Sequence, residues 1–151
     1  MADELAEHRF FERLPEELRR RLAECAENVV FEAGATLCTE GTPATSFFAL
    51  RSGRVSVGVH VPGKGLVGLE TLQSGDILGW SWILPPHLWH FDAVALERVR
   101  AVQLHSACIL PYLETDPTAG FRLMTAVALI MEERLDSARI RLLDLFGRSS
   151  G

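Results

Sequence analysis

Hydrophobic positions change their period twice along this chain. Between residues 5 and 26, Phe10, Phe11, Leu14, Leu18, Leu22 and Cys25 recur every three or four positions among charged residues, the period of a helix with one buried face. Pro15 followed by Glu16 and Glu17 marks a fresh start, with proline and acids suited to a first turn. The segment therefore predicts two short helices. From 28 to 104 the period shortens to two. Short runs rich in β-formers fall at 29–32, 36–39, 46–51, 55–60, 66–72, 91–96 and 99–104, punctuated by Gly34, Gly41, Gly53, Gly63, Gly65 and Gly75. The intervals leave no room for crossover helices, which excludes a parallel α/β fold and predicts a mainly β sandwich, jelly roll or barrel.

Helical periodicity then returns, and helices are expected over 106–146. Asp116-Pro117 reads as a helix start, a capping residue before a first-turn proline. Beyond it Phe121, Met124, Ala128, Met131, Leu135, Ala138, Leu142 and Leu145 follow one another at alternating intervals of three and four, an unbroken heptad stripe. Leu123, Val127 and Ile130 form a second apolar edge beside its first half. A helix with two apolar faces has two partners to find. The reading is the β domain for one and the same helix of a second copy for the other, giving a homodimer.

Composition narrows the classes. A chain of 151 residues, 48% hydrophobic, suits a single domain spanning 1–151. No apolar run reaches the length of a membrane span, and the start MADELAEHRFFERL is too acidic for a secretory signal, so a cytoplasmic location is expected. A net charge of −5 argues against a broad nucleic-acid face. Cys25, Cys38 and Cys108 are odd in number and form no CxxC pair. They predict neither a disulfide framework nor a zinc knuckle. Cys25 and Cys108 read as small core hydrophobes.

The order of these pieces resembles the cyclic-nucleotide-binding domain family, as found in the sensor halves of bacterial catabolite-activator and fumarate–nitrate-regulator type transcription factors. The resemblance runs from Phe10 to Leu145. It rests on Gly34, Glu40 and Gly41 in a G-x-x-(apolar)-x-x-E-G pattern, on Gly53 and Val55 after an apolar strand, and on Leu72-Gln-Ser-Gly-Asp-Ile-Leu-Gly79 approaching the ligand cassette. It implies a β-roll of the double-stranded β-helix type, with N-terminal helices and a long C-terminal dimerisation helix. It also implies a cyclic nucleotide or other small ligand near Gly79, Trp80 and Ser81, where family members offer backbone N–H groups to a phosphate. No resident cofactor is expected.

The cassette departs from the family's cyclic-AMP pattern. Trp80 stands where a ribose-binding glutamate is expected, and the phosphate-binding arginine position falls on Trp89 or His90. No Lys or Arg occurs between Lys64 and Arg98. Such a site would lack a charge-assisted bond worth roughly 1.5–3 kcal/mol. In its place stand Trp80, Trp82, Trp89 and Phe91, with His87 and His90. These residues make either a pocket for an apolar or planar ligand, with Gly79, Trp80, Ser81, Trp82, Trp89 and His90 as its candidate lining, or a pocket filled by its own aromatics.

His87, His90 and Asp92 lack the H-x-H and distant third histidine of metal-binding cupins, so no metal site is predicted. Ser81 and Ser106 lack a G-x-S-x-G setting, and no catalytic residue is assigned. The reading is a non-enzymatic regulatory or sensor protein that does not take cyclic AMP in the usual manner. A structural or interaction module with a filled pocket is the second reading, and a cupin-like metal-dependent enzyme trails. Family transcription factors continue into a helix-turn-helix beyond the long helix. Residues 146–151 are too few for one, so no direct DNA binding by this chain is expected.

Overall fold

The computed structural model describes residues 8–150, with side chains to residue 147. Two short helices, α1 (Arg9–Glu12) and α2 (Glu16–Glu24), precede eight strands. These are β1 (Ala26–Phe31), β2 (Thr36–Cys38), β3 (Ser46–Ser52), β4 (Val55–Val61), β5 (Gly65–Leu72), β6 (Ile77–Leu78), β7 (Asp92–Ala95) and β8 (Val99–His105). Helices α3 (Ser106–Thr115) and α4 (Pro117–Ser150) close the chain. Residues 5–7 of the first expected helix lie outside the described residues. The break at Pro15 is present: Pro15 caps α2, and Glu16 and Glu17 occupy its first turn.

The strands form two four-stranded sheets, ordered β1-β8-β3-β6 and β2-β7-β4-β5, and every pairing is antiparallel. This is the β-roll that the family resemblance implies, within the all-β class that the strand spacing and glycine punctuation predict. Phe47, Leu50, Val55, Ile77, Ala93, Val99 and Leu104 are buried between the sheets, and Phe10, Phe11, Leu18 and Leu22 extend the same core into the helical layer. Gly53 shows why a glycine stands between β3 and β4. Its φ is +87°, and a Cβ there would lie 2.4 Å from the Arg98 carbonyl oxygen, so a side chain would force β8 away.

One expectation is corrected. Cys25 and Cys108 form a disulfide across a separation of 83 residues, with Cα atoms 5.5 Å apart. The physical reason is sheet order. β1 and β8 are neighbours, with Ala26 opposite Leu104. The chain therefore enters and leaves the roll at one point, and the flanking cysteines meet. Cys38 alone is a free thiol, and it is buried.

Helix α4 has 34 residues and is about 51 Å long. Leu123, Ala126, Val127 and Ile130 are buried. The heptad stripe is turned away from the roll: Phe121, Met131, Leu135, Leu142 and Leu145 are each between 44% and 71% exposed. Met124 and Ala138 are half-buried and Ala128 is exposed. Leu129, Ile140, Leu143 and Phe146 widen the exposed apolar face beyond the stripe.

Candidate ligand-binding site

The cassette leaves the sheet at Gly79, makes two successive turns, and returns to β7. The turns are closed by Ile83 N–H on the Trp80 carbonyl (3.0 Å) and His87 N–H on the Leu84 carbonyl (2.8 Å). The Pro85–Pro86 peptide is cis and His87 has φ +59°, so the chain doubles back. The return limb is pinned along 41–44: Gly41 N–H donates to the Trp89 carbonyl, Trp89 N–H to the Thr42 carbonyl, and Ala44 N–H to the His87 carbonyl, at 2.7–2.9 Å. Asp92, buried at the start of β7, accepts the Glu40 N–H at 2.7 Å and pairs with His60. Those bonds are the local reason for the Glu40-Gly41 turn.

This pinning carries Trp89 inward. Its six-membered ring lies over Gly79, where a Cβ would be 2.6 and 2.7 Å from the Cη2 and Cζ3 atoms. The close approach that a side-chain-free residue permits is taken up by an indole. Trp82 is almost fully buried and stacks on Phe47, with ring centres 5.1 Å apart and planes 13° from parallel. Its indole N–H meets no acceptor among the described residues. Trp89 also packs at 5.8 Å against Phe91. Ser81 is buried, Trp80 half-buried, and His90 exposed. The structure thus brings Gly79, Trp82 and Trp89 into the core, leaving Trp80 and His90 reachable from solvent.

Sequence reasoning missed the cation nearest the cassette, because it comes from α4. Arg134 donates from Nε and Nη2 to both carboxylate oxygens of Glu70, at 2.9 and 2.8 Å, and from Nη1 to the Ile77 carbonyl at 3.3 Å. Its guanidinium carbon lies 5.7 Å from the centre of the Trp80 ring. A signal exists in the sequence. Leu123, Val127 and Ile130 continue at the same intervals as Arg134, Ser137 and Arg141, so the roll-facing edge turns polar halfway along the helix. Arg141 reaches the Leu69 carbonyl at 3.0 Å.

Two cavities flank this clasp. One of about 410 Å³ lies between β5 and α4, with Arg9, Glu70, Asp76, Glu133, Arg134 and Arg141 on its walls. The other, of about 200 Å³, is bounded by Trp80, Ile83 and Leu84 of the cassette and by Met124, Val127 and Met131 of α4. Among the described residues no group of three His, Cys, Asp or Glu side chains is placed to hold a metal ion. Burial pushes the Cys38 thiol up to about 12, helped by the charge of Asp92, which removes it as a nucleophile.

A family model, the cyclic nucleotide-binding domain, matches residues 28–116. The chain belongs to the cyclic nucleotide-binding domain family. Domains of this family are generally non-catalytic regulatory modules. A Geobacter metallireducens GS-15 structure, named as a cyclic nucleotide-binding protein, is 26% identical with a TM-score of 0.79, covering 88% of this chain and 96% of that one. A cyclic nucleotide-binding domain from Methylobacillus flagellatus KT is 20% identical with a TM-score of 0.76, covering 87% and 74%. The sensor domain of the transcriptional regulator DNR from Pseudomonas aeruginosa has a TM-score of 0.68 at 20% identity, covering 87% and 89%. Among curated proteins none matches the chain. The cyclic nucleotide-binding fold is thus shared along nearly the whole described chain. Among the described residues no helix is long and apolar enough to cross a membrane.

Proposed function

We propose that this cyclic nucleotide-binding domain is a non-enzymatic cytoplasmic sensor or regulatory module that dimerises through α4 and does not take cyclic AMP at Gly79. The observation that carries the reading is the Trp89 ring over the Gly79 backbone, in a segment with no Lys or Arg from residue 65 to 97. A cyclic phosphate there would have to displace a buried indole and would gain no guanidinium partner. Gly79, Trp80, Ser81, Trp82, Trp89 and His90 remain the candidate lining, with Trp80 the indole open to a ligand. The apolar space between Trp80, Ile83, Met124 and Met131 suits a small apolar or planar molecule. The dimer reading is supported by the exposure of Phe121, Met131, Leu135, Leu142 and Leu145, since soluble monomers rarely leave so long an apolar stripe uncovered.

Calorimetric titration of cyclic AMP and cyclic GMP tests the cassette reading, with tryptophan emission as a second readout. No binding in the micromolar range is expected, and micromolar affinity for either nucleotide would overturn it. The second reading, an interaction module with a filled pocket, is favoured by the depth of Trp82 and Trp89, 2% and 5% exposed. A panel of small apolar and planar molecules in a thermal-shift assay separates the two. A saturable rise in melting temperature that is lost in Trp80→Ala supports the sensor, and a flat panel supports the interaction module.

A further inference from the structure

The Cys25–Cys108 disulfide sits where the roll needs it least. Six register pairs from Ala26–Leu104 to Phe31–Val99 hold β1 against β8, and the His105 N–H already donates to the Cys25 carbonyl at 3.1 Å. What the bond adds is a covalent tie between the end of α2 and the first turn of α3. Beside it, Arg21 of α2 lies over the Tyr112 ring of α3, at 4.7 Å. Helix α3 runs through the single residue Asp116 into α4. Whatever frees α3 therefore acts directly on the long helix.

The two sulfurs are not equivalent. Cys25 is buried, whereas Cys108 is exposed and is the third residue of the ten-residue helix α3. Unpaired backbone N–H groups in a first turn stabilise a thiolate. That stabilises the reduced form relative to the disulfide and makes Cys108 a good leaving group. The only other cysteine, Cys38, is buried on β2 and donates weakly to the Phe91 carbonyl at 3.8 Å, so it does not compete for exchange.

We propose that Cys25–Cys108 is a reversible thiol–disulfide exchange site, its co-reactant a small thiol reductant, and that its redox state sets how tightly α3 and the root of α4 are held to α2. One thiolate of the reductant attacks the exposed Cys108 sulfur. The Cys25–Cys108 bond breaks, and Cys25 leaves as a thiolate that takes a proton. A second reductant thiolate then attacks the reductant's sulfur in the mixed disulfide. Cys108 leaves as a thiolate at the helix N-terminus, and the reductant departs as its disulfide, two electrons having passed to the protein. This proposal stands independently of which ligand, if any, the cassette takes.

Thiol mass-tagging across mixtures of reduced and oxidised glutathione, followed by hydrogen exchange of the two end states, tests it. The expected result is a bond that opens and re-forms across those mixtures. Amides of residues 106–120 should exchange about tenfold faster after reduction, while those of β1 and β8 change by less than about twofold. Cys108→Ser should reproduce the reduced pattern, and Cys38→Ser should keep the bond and the oxidised pattern. A bond that persists in excess reduced glutathione, or cysteines that stay as thiols in excess oxidised glutathione, would overturn it. So would reduction that unfolds the roll along with the helices, or that leaves the amides of 106–120 unchanged.

Discussion

Arg134 holds Glu70 by two parallel hydrogen bonds, at 2.9 and 2.8 Å, and in doing so joins the long helix to the strand that leads into the cassette. The same side chain reaches the Ile77 carbonyl and lies over Trp80. Strand β5, strand β6, the cassette and α4 thus share one guanidinium. Both partners are about a quarter exposed, which places the pair in the partly screened regime, above the worth of a fully solvated bridge.

Replacing Arg134 by Met should lower unfolding stability by about 1–2 kcal/mol. It should also raise hydrogen exchange in α4 more than in β8. Lys at this position should recover only part of the loss, because an ammonium cannot grip both carboxylate oxygens. Urea titrations of the three proteins check both expectations, and full recovery by Lys would remove the bidentate argument.

Leu135→Asp places a charge in the middle of the exposed stripe on α4. The wild type should run as a dimer in light scattering and the variant as a monomer with the same sheet signal in circular dichroism. Leu123→Asp, on the buried edge, should instead unfold the chain. A monomeric, well-folded wild type would end the dimer reading.

Gly79 and Trp89 should behave as a coupled pair. Gly79→Ala drives a methyl group into the indole at a residue with φ +108°, and should cost about 1–3 kcal/mol. Trp89→Ala should cost about 3–5 kcal/mol through the cavity it leaves. The double variant should be less destabilised than the sum, because the clash is gone. Chemical denaturation of the four proteins gives that coupling directly.

Acid should act through Asp92. Its carboxyl is held below the usual range chiefly by the Glu40 N–H, with His60 adding to the effect and burial opposing it. A depressed folded value means stability that is present above the unfolded carboxylate pKa, about 3.9, and lost as pH falls through the folded value. Wild type should therefore lose stability below about pH 4, and Asp92→Asn should show a shallower fall from a lower neutral-pH plateau. Thermal melts between neutral pH and strong acid check the slope.

The β-rich core and its flanking helices were legible because their signals are local, and the resemblance of the ordered glycine motifs made that core a roll. Period-two runs, turn glycines and a helix of strict heptad spacing each follow from nearby residues. Strand β6 escaped notice because Ile77–Leu78 is two residues long, too short to carry a period. The disulfide escaped because it depends on which strands are neighbours, and a separation of 83 residues hides that. Arg134 escaped for the same reason: it is 64 residues from Glu70. The cassette was half legible. Its lack of cations and its crowd of indoles could be counted. That Trp89 would cover Gly79 depends on the bonds from 41–44 that draw the loop inward.

The side-by-side entry and exit of the roll has a mechanical consequence. Force applied through α2 and α3 would load β1 and β8 from the same end, at Ala26 and Leu104. An antiparallel pair pulled in that direction unzips one rung at a time and does not shear all its rungs together. The Cys25–Cys108 bond lies just outside the first rung, so tension between the two helical segments is carried by sulfur before it reaches the ladder. Oxidised, the roll is shielded from a pull on its helices; reduced, its first rung bears the load.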